Sequence, residues 1–194
     1  QEKLTPELEQ QIRAAATMVA VDDLYRPYRP KRRTRAMIAR ERGLEPLADL
    51  IMLQNLNRPA LEEAERYVSE EKGVSSSQEA LAGAMDILAE RISDNAKYRT
   101  YIRRATRDQG TIQSLAKDPK EKSVYEHYYE YEEPVRKCAG HRVLALNRGE
   151  AEKYLTVKIL APEDVILKYL EKQVVTRDNP HTSPVLRSVI EDSY

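Results

Sequence analysis

Apolar residues recur along most of this chain at three- and four-residue intervals, the period of a helix with one buried face. Leu8, Ile12, Ala15, Ala16 and Val19 form the first such stripe. Thr5, Pro6 and Glu7 precede it, a capping hydroxyl, a proline at the first helical position and an acid at the positive end of the dipole. A helix is therefore predicted from about Thr5 to about Leu24. The following stretch, Tyr25 to Thr34, carries Pro27 and Pro30, which remove amide donors and push the residues before them toward extended backbone, so it reads as a loop.

Thr34 is placed to cap a short helix through Arg42, Gly43 to end it in the left-handed conformation, and Pro46 to begin another carrying Leu47, Leu50, Ile51 and Leu53. A third segment runs from Pro59 to about Glu71. Ser76-Ser77-Gln78-Glu79 is a capping box, and Leu81, Ala84, Met85, Leu88 and Ile92 follow on one face. Asp94 or Asn95 then caps a helix with Tyr98, Tyr101, Ile102 and Ala105, which Gly110 breaks. A charged, proline-broken stretch, Lys117 to Lys122, marks a candidate boundary. Beyond it, His141 to Asn147 reads as a helix closed by Gly149, Tyr154 to Leu160 alternates as a strand does, and helices follow from Val165 and from Ser183. Short links between helices imply antiparallel neighbours. The predicted class is mainly α, a multi-helix antiparallel bundle or array with at most one or two short strands near 154–160.

Composition sharpens this picture. The 194 residues hold 32 Lys and Arg against 32 Asp and Glu, so any electrostatic function is local rather than global. With no Phe or Trp, all 12 aromatics are tyrosine, and several of these are expected to lie half-buried with wet hydroxyls. A lone Cys138 forms no internal disulfide, and there is no long apolar run and no signal-type start, so a cytoplasmic protein is expected.

One charge asymmetry stands out. Arg26, Arg29, Lys31, Arg32, Arg33, Arg35, Arg40 and Arg42 face a single acid, Glu41, within one segment. Guanidinium forks bind phosphate oxygens two at a time and the two tyrosines could stack on bases, so Arg26, Arg29, Lys31, Arg32, Arg33 and Arg35 are the candidate nucleic-acid contacts. Two other readings stay open: the arginines pair with acidic helices elsewhere in the chain, or they meet a protein partner. The stretch Tyr125 to Pro134 is aromatic but acidic, so it packs tyrosines into a core or receives the basic loop. Cys138-x-x-His141 has a metal-like spacing, yet only His127 and His181 remain as further nitrogen or sulfur donors, and no metal is expected. No Gly-rich phosphate loop, nucleophile elbow or His-Glu-x-x-His helix occurs. Neither a catalytic residue nor a cofactor is assigned.

The run Leu24 to Thr34 followed by Ala39 to Ala48 resembles the Tex family of transcription accessory proteins. So do Tyr131-Glu132-Glu133-Pro134, His141 to Glu150 and the final Ile190-Glu191-Asp192. The resemblance implies a bacterial cytoplasmic protein related to a eukaryotic transcription elongation factor. Its full form would add an RNase-H-like domain, helix-hairpin-helix units and an S1 RNA-binding domain. On that basis residues 1–117 are the family's N-terminal helical region, truncated at its start, and 118–194 a helical connection leading toward the RNase-H-like domain. The expected function is a non-catalytic helical scaffold acting in nucleic-acid transactions, with the basic loop as an auxiliary RNA or DNA contact. The alternative is a structural or protein-interaction module that docks its basic loop on acids such as Glu130, Glu132 and Glu133, on further domains or on the transcription machinery.

Overall fold

The computed structural model describes residues 4–29 and 32–194. Among these lie ten α-helices and a three-stranded antiparallel sheet, so the mainly helical class holds. The chain divides into two compact units, residues 1–100 with 167–194, and residues 101–166.

The first unit is built around α6 (Ser77–Ser93), which packs against α3 (Arg35–Glu41), α4 (Glu45–Met52), α5 (Ala60–Ala64) and α10 (Ser183–Ser193). Its start follows the capping box with one shift: Ser76 Oγ accepts from Glu79 N–H at 3.2 Å, while the Glu79 carboxylate reaches back to the N–H and hydroxyl of Ser75. Ala80, Ala84, Ile87, Leu88 and Ile92 form its buried face, against Leu44, Leu47, Ile51, Ala64, Leu186, Val189 and Ile190 from the rest of the unit's core. Gly83 sits where a Cβ would come 2.4 Å from Leu44 Cδ1 and 3.3 Å from the Ala39 methyl, which is why α3 and its following turn approach so closely. Thr34 caps α3 through Met37 N–H, and Gly43 at φ +77° ends that helix in the left-handed region, both as the sequence predicts.

Two predicted spans come out differently. The helix expected from Thr5 to Leu24 is two helices, α1 (Pro6–Ala14) and α2 (Met18–Tyr25), because Ala15 turns extended and Thr17 Oγ1 caps a fresh start at Ala20 N–H. The segment from Pro59 ends as α-helix at Ala64. A 3-10 turn, Glu65–Tyr67, leads into a tight reversal in which Ser69 and Val74 pair and Gly73 takes φ +74°.

The second unit holds the end of α7 (Ala96–Gln109), then β1 (Thr111–Ala116), β2 (Glu130–Pro134), α8 (Gly140–Ala151) and β3 (Leu155–Leu160), in sheet order β2-β1-β3. β3 was expected; β1 and β2 were not. Ile112, Tyr125, Leu146 and Leu155 are its buried core, with Tyr128, Tyr129, Tyr131 and Tyr154 half-buried around them. Their hydroxyls reach polar groups, Tyr131 to the Glu133 carboxylate at 2.7 Å and Tyr129 to the Glu121 carbonyl. Gly149 does not close α8, which runs on to Ala151. It makes room for Leu155, whose Cδ1 would lie 2.5 Å from a Cβ there. The ninth helix is α9 (Glu163–Val174).

Candidate nucleic-acid interface

The basic segment begins where Pro27 turns the end of α2 into a 3-10 turn, Arg26–Tyr28, and it ends with α3. Running antiparallel to α3, α6 carries Glu79, Asp86 and Glu90, with Asp94 as its C-cap, at spacings of seven, four and four, which puts the four carboxylates along one face. Four arginines meet these four acids, one each, with Arg42 at the start of the stripe and Arg26 at its end. Arg42 bonds Glu79 at 3.0 Å, Arg35 lies 3.5 Å from Asp86, Arg40 bonds Glu90 at 2.8 Å, and Arg26 bonds Asp94 at 2.9 Å. The Thr34 hydroxyl adds a bond of 3.0 Å to Glu90, and Arg35 also lies 3.5 Å from Asp192 on α10.

These pairs differ in environment. The side chain of Asp94 is 10% exposed and that of Glu90 18%, so their ion pairs are partly desolvated and breaking either leaves a charge facing a poorly hydrated neighbour. Glu79 is held below the usual carboxylate range, first by the Ser75 N–H and hydroxyl and then by Arg42. Burial pushes Asp86 above that range; Arg35 opposes the shift and Asp192 adds to it.

The predicted contact residues therefore separate. Arg26 and Arg35 are tied to carboxylates of the same unit. Arg33 bonds Glu41 at 2.7 Å, but both side chains are mostly exposed, and such surface pairs contribute about 0–1 kcal/mol. Arg29 and Arg32 are exposed and have no ion pair among the described residues. Lys31 lies outside the described residues. What sequence reasoning missed is the acidic stripe on α6, although its spacing on a confidently signalled helix was readable.

Two of the three acids named for docking the basic loop, Glu132 and Glu133, have other partners. Glu132 accepts from the Gln113 amide at 2.6 Å, and Glu133 from Arg142 at 2.6 Å and from the Tyr131 hydroxyl. Burial and the neighbouring Glu133 push the half-buried Cys138 thiol up, while His141 is exposed. Among the described residues no group of three or more His, Cys, Asp or Glu side chains could hold a metal ion, and no helix is long and apolar enough to cross a membrane.

Comparison with known proteins gives this arrangement a setting. A family model described as Tex central region-like matches residues 55–181. The protein YdcI of Bacillus subtilis is 47% identical over the whole chain, which covers 27% of that relative. Protein tex of Bordetella pertussis is 43% identical over 82% of this chain and 20% of its own length. Transcriptional accessory protein Tex of Neisseria gonorrhoeae is 35% identical over 84% of this chain and 22% of its own. The chain thus spans about a quarter of these relatives or less.

Proposed function

The chain belongs to the Tex family, and from that premise we propose that it is a non-catalytic helical scaffold of a cytoplasmic transcription accessory protein. In this reading Arg29 and Arg32 are a small auxiliary contact for RNA or DNA phosphates. The observation that carries it is the one-to-one pairing of Arg26, Arg35, Arg40 and Arg42 with the acidic face of α6. A guanidinium already paired with a partly buried carboxylate is a poor phosphate ligand, because binding would strip that carboxylate of its partner. Most of the basic segment is then fastening, and only its exposed tip is available to a polyanion.

The two roles separate by mutation. Glu90→Gln with Asp94→Asn is expected to lower the melting temperature without weakening oligonucleotide binding per folded molecule. Arg29→Ala with Arg32→Ala is expected to leave melting unchanged and weaken salt-sensitive binding of single-stranded RNA, read by fluorescence anisotropy. Unchanged RNA affinity in the second variant removes the tip as a contact and leaves the purely structural module. Loss of binding without loss of stability in the first variant overturns the scaffold role of the segment.

A further inference from the structure

The second unit carries a basic cluster assembled from two separate stretches of the sequence. Arg104 and Arg107 lie on the exposed side of the last turns of α7, and Arg136 and Lys137 on the 3-10 turn Val135–Lys137 that follows β2. These stretches are almost thirty residues apart in sequence, and the sheet brings them together. Thr111 pairs with Pro134, and the Val135 N–H bonds the Gly110 carbonyl at 2.9 Å, so the turn after β2 abuts the end of α7.

One acid serves the cluster. Arg107 Nε bonds Asp108 Oδ1 at 2.9 Å and Arg104 Nε lies 3.7 Å from Oδ2. Arg107, Arg104 and Arg136 all hold the Asp108 carboxyl low, the hydrogen bond from Arg107 being the largest influence. The half charge at the C-terminus of α7 offsets a little more. Three guanidiniums against one carboxylate and about half a unit of helix charge leave roughly +1.5, before Lys137 is counted.

The contrast with the basic segment of the first unit is direct. There each of Arg26, Arg40 and Arg42 has a carboxylate of its own at hydrogen-bond distance, and the arginine side chains are 31–44% exposed. Here the side chains of Arg104 and Arg107 are 77% and 68% exposed and share one acid. Each guanidinium carries five N–H donors, so most of the cluster's donors point to water.

We propose that Arg104, Arg107 and Arg136 form a phosphodiester-binding surface on the second unit, distinct from the Arg26 to Arg35 segment. None of the large apolar side chains exposed on this unit belongs to the last turns of α7 or to the 3-10 turn. A protein interface is anchored by a buried apolar centre with aromatic hot spots, which this cluster lacks. A nucleic-acid backbone needs only positive charge and forked donors. With no base-reading element beside it, the surface is expected to bind without sequence preference.

The test uses the 194-residue chain and fluorescein-labelled single-stranded oligouridylate over a series of salt concentrations, with circular dichroism to certify folding. Arg104→Ala with Arg107→Ala and Arg136→Ala is expected to weaken binding about tenfold or more and to reduce the salt slope by about two to three. Asp108→Asn, which removes the one acid and leaves the arginines in place, is expected to tighten binding severalfold. Parent-like affinity in both variants overturns the proposal, as does absence of binding by the parent at low salt. Loss confined to the Arg29 and Arg32 variant overturns it while sparing the function proposed above; loss confined to the new cluster does the reverse. Equally tight binding of a polyglutamate peptide of the same charge would show a surface for acidic protein and would also overturn it.

Discussion

Gln54 is the most consequential side chain that neither charge nor periodicity singles out. It is buried, and it takes φ +54°, a left-handed backbone that costs a side-chain-bearing residue roughly 1–2 kcal/mol. Its amide donates to the Val174 carbonyl at 2.8 Å and accepts from the N–H groups of Thr176 and Arg177 at 3.0 and 3.1 Å. Asn179 adds a bond to the Leu56 carbonyl at 3.1 Å. The first unit is discontinuous in sequence, and these bonds fasten its returning segment, 167–194, to the loop after α4. Gln54→Ala removes these three bonds to 174–177 and a long one of 3.4 Å to the Met52 carbonyl, and orphans a buried carbonyl, so it should cost about 2–4 kcal/mol. Gln54→Gly makes the same deletion but accepts the left-handed backbone, and should recover about 1 kcal/mol of that loss. Gln54→Glu keeps the acceptor for both N–H groups while turning a carboxylate toward the Val174 carbonyl, so it should also destabilise. Urea unfolding followed by circular dichroism measures all three. A loss below about 1 kcal/mol in Gln54→Ala would refute the clamp, since one net hydrogen bond alone contributes about that much.

Other consequences follow from burial and from titration. Asp86 is raised by burial, so folding favours its protonated form; that contribution is present in acid and is lost as pH rises through the raised value. Asp86→Asn should therefore unfold at equal or higher urea than the parent at pH 7, with the difference shrinking as pH falls and the parent carboxyl takes up its proton. Glu63, Glu79, Asp108 and Glu133 are held low, so their contribution is present at neutral pH and lost as pH falls through their depressed values, visible as a steepening acid transition. Burial, then its bond to Glu133, pushes Tyr131 up to about 12. Its stabilising effect is complete below the ordinary tyrosine value and fades as pH climbs toward 12, so the late-titrating phenol signal in ultraviolet titration, to which Tyr98 and Tyr125 also contribute, should shrink in Tyr131→Phe. Gly149→Ala places a methyl against Leu155 and Tyr125 and should destabilise by about 1–3 kcal/mol despite better helix propensity, whereas a net gain would show that the site relaxes freely.

Helix starts were legible because caps are local chemistry. Thr5, Thr34, Ser76 and Asn95 each accept the backbone N–H three residues on, as their sequence context suggests. Thr17 defeated the same logic, since a threonine inside an apolar stripe reads equally as a helical residue until its hydroxyl is seen capping a new start. β1 escaped because Ser114 occupies a buried inward position where the alternation called for an apolar residue, and β2 because only Tyr131 of its five residues looks like a strand former. Gly149 was misread for a different reason: its missing side chain leaves volume for Leu155 rather than freedom for the backbone.

The two basic clusters show what local charge counting leaves out. Between Arg26 and Arg42 the sequence displays eight cations against one acid, yet four of those arginines meet carboxylates on α6 that lie between 37 and 68 residues away. Around Arg104 it displays five cations, Lys97 to Arg107, against Asp108, and around Arg136 mixed charge, and the sheet register brings Arg136 to the same acid as Arg104 and Arg107. Attraction for a phosphate depends on positive charge left uncompensated within about a Debye length, some 8–10 Å, which is a property of neighbours in space. By that measure the long basic run is largely spent on holding α3 to α6, and the shorter, dispersed set is the stronger polyanion surface. Comparing salt slopes for the Arg29 and Arg32 variant with those for the Arg104, Arg107 and Arg136 variant ranks the two directly. A larger loss of slope in the first pair would mean that exposure at the loop tip outweighs the uncompensated charge of the cluster.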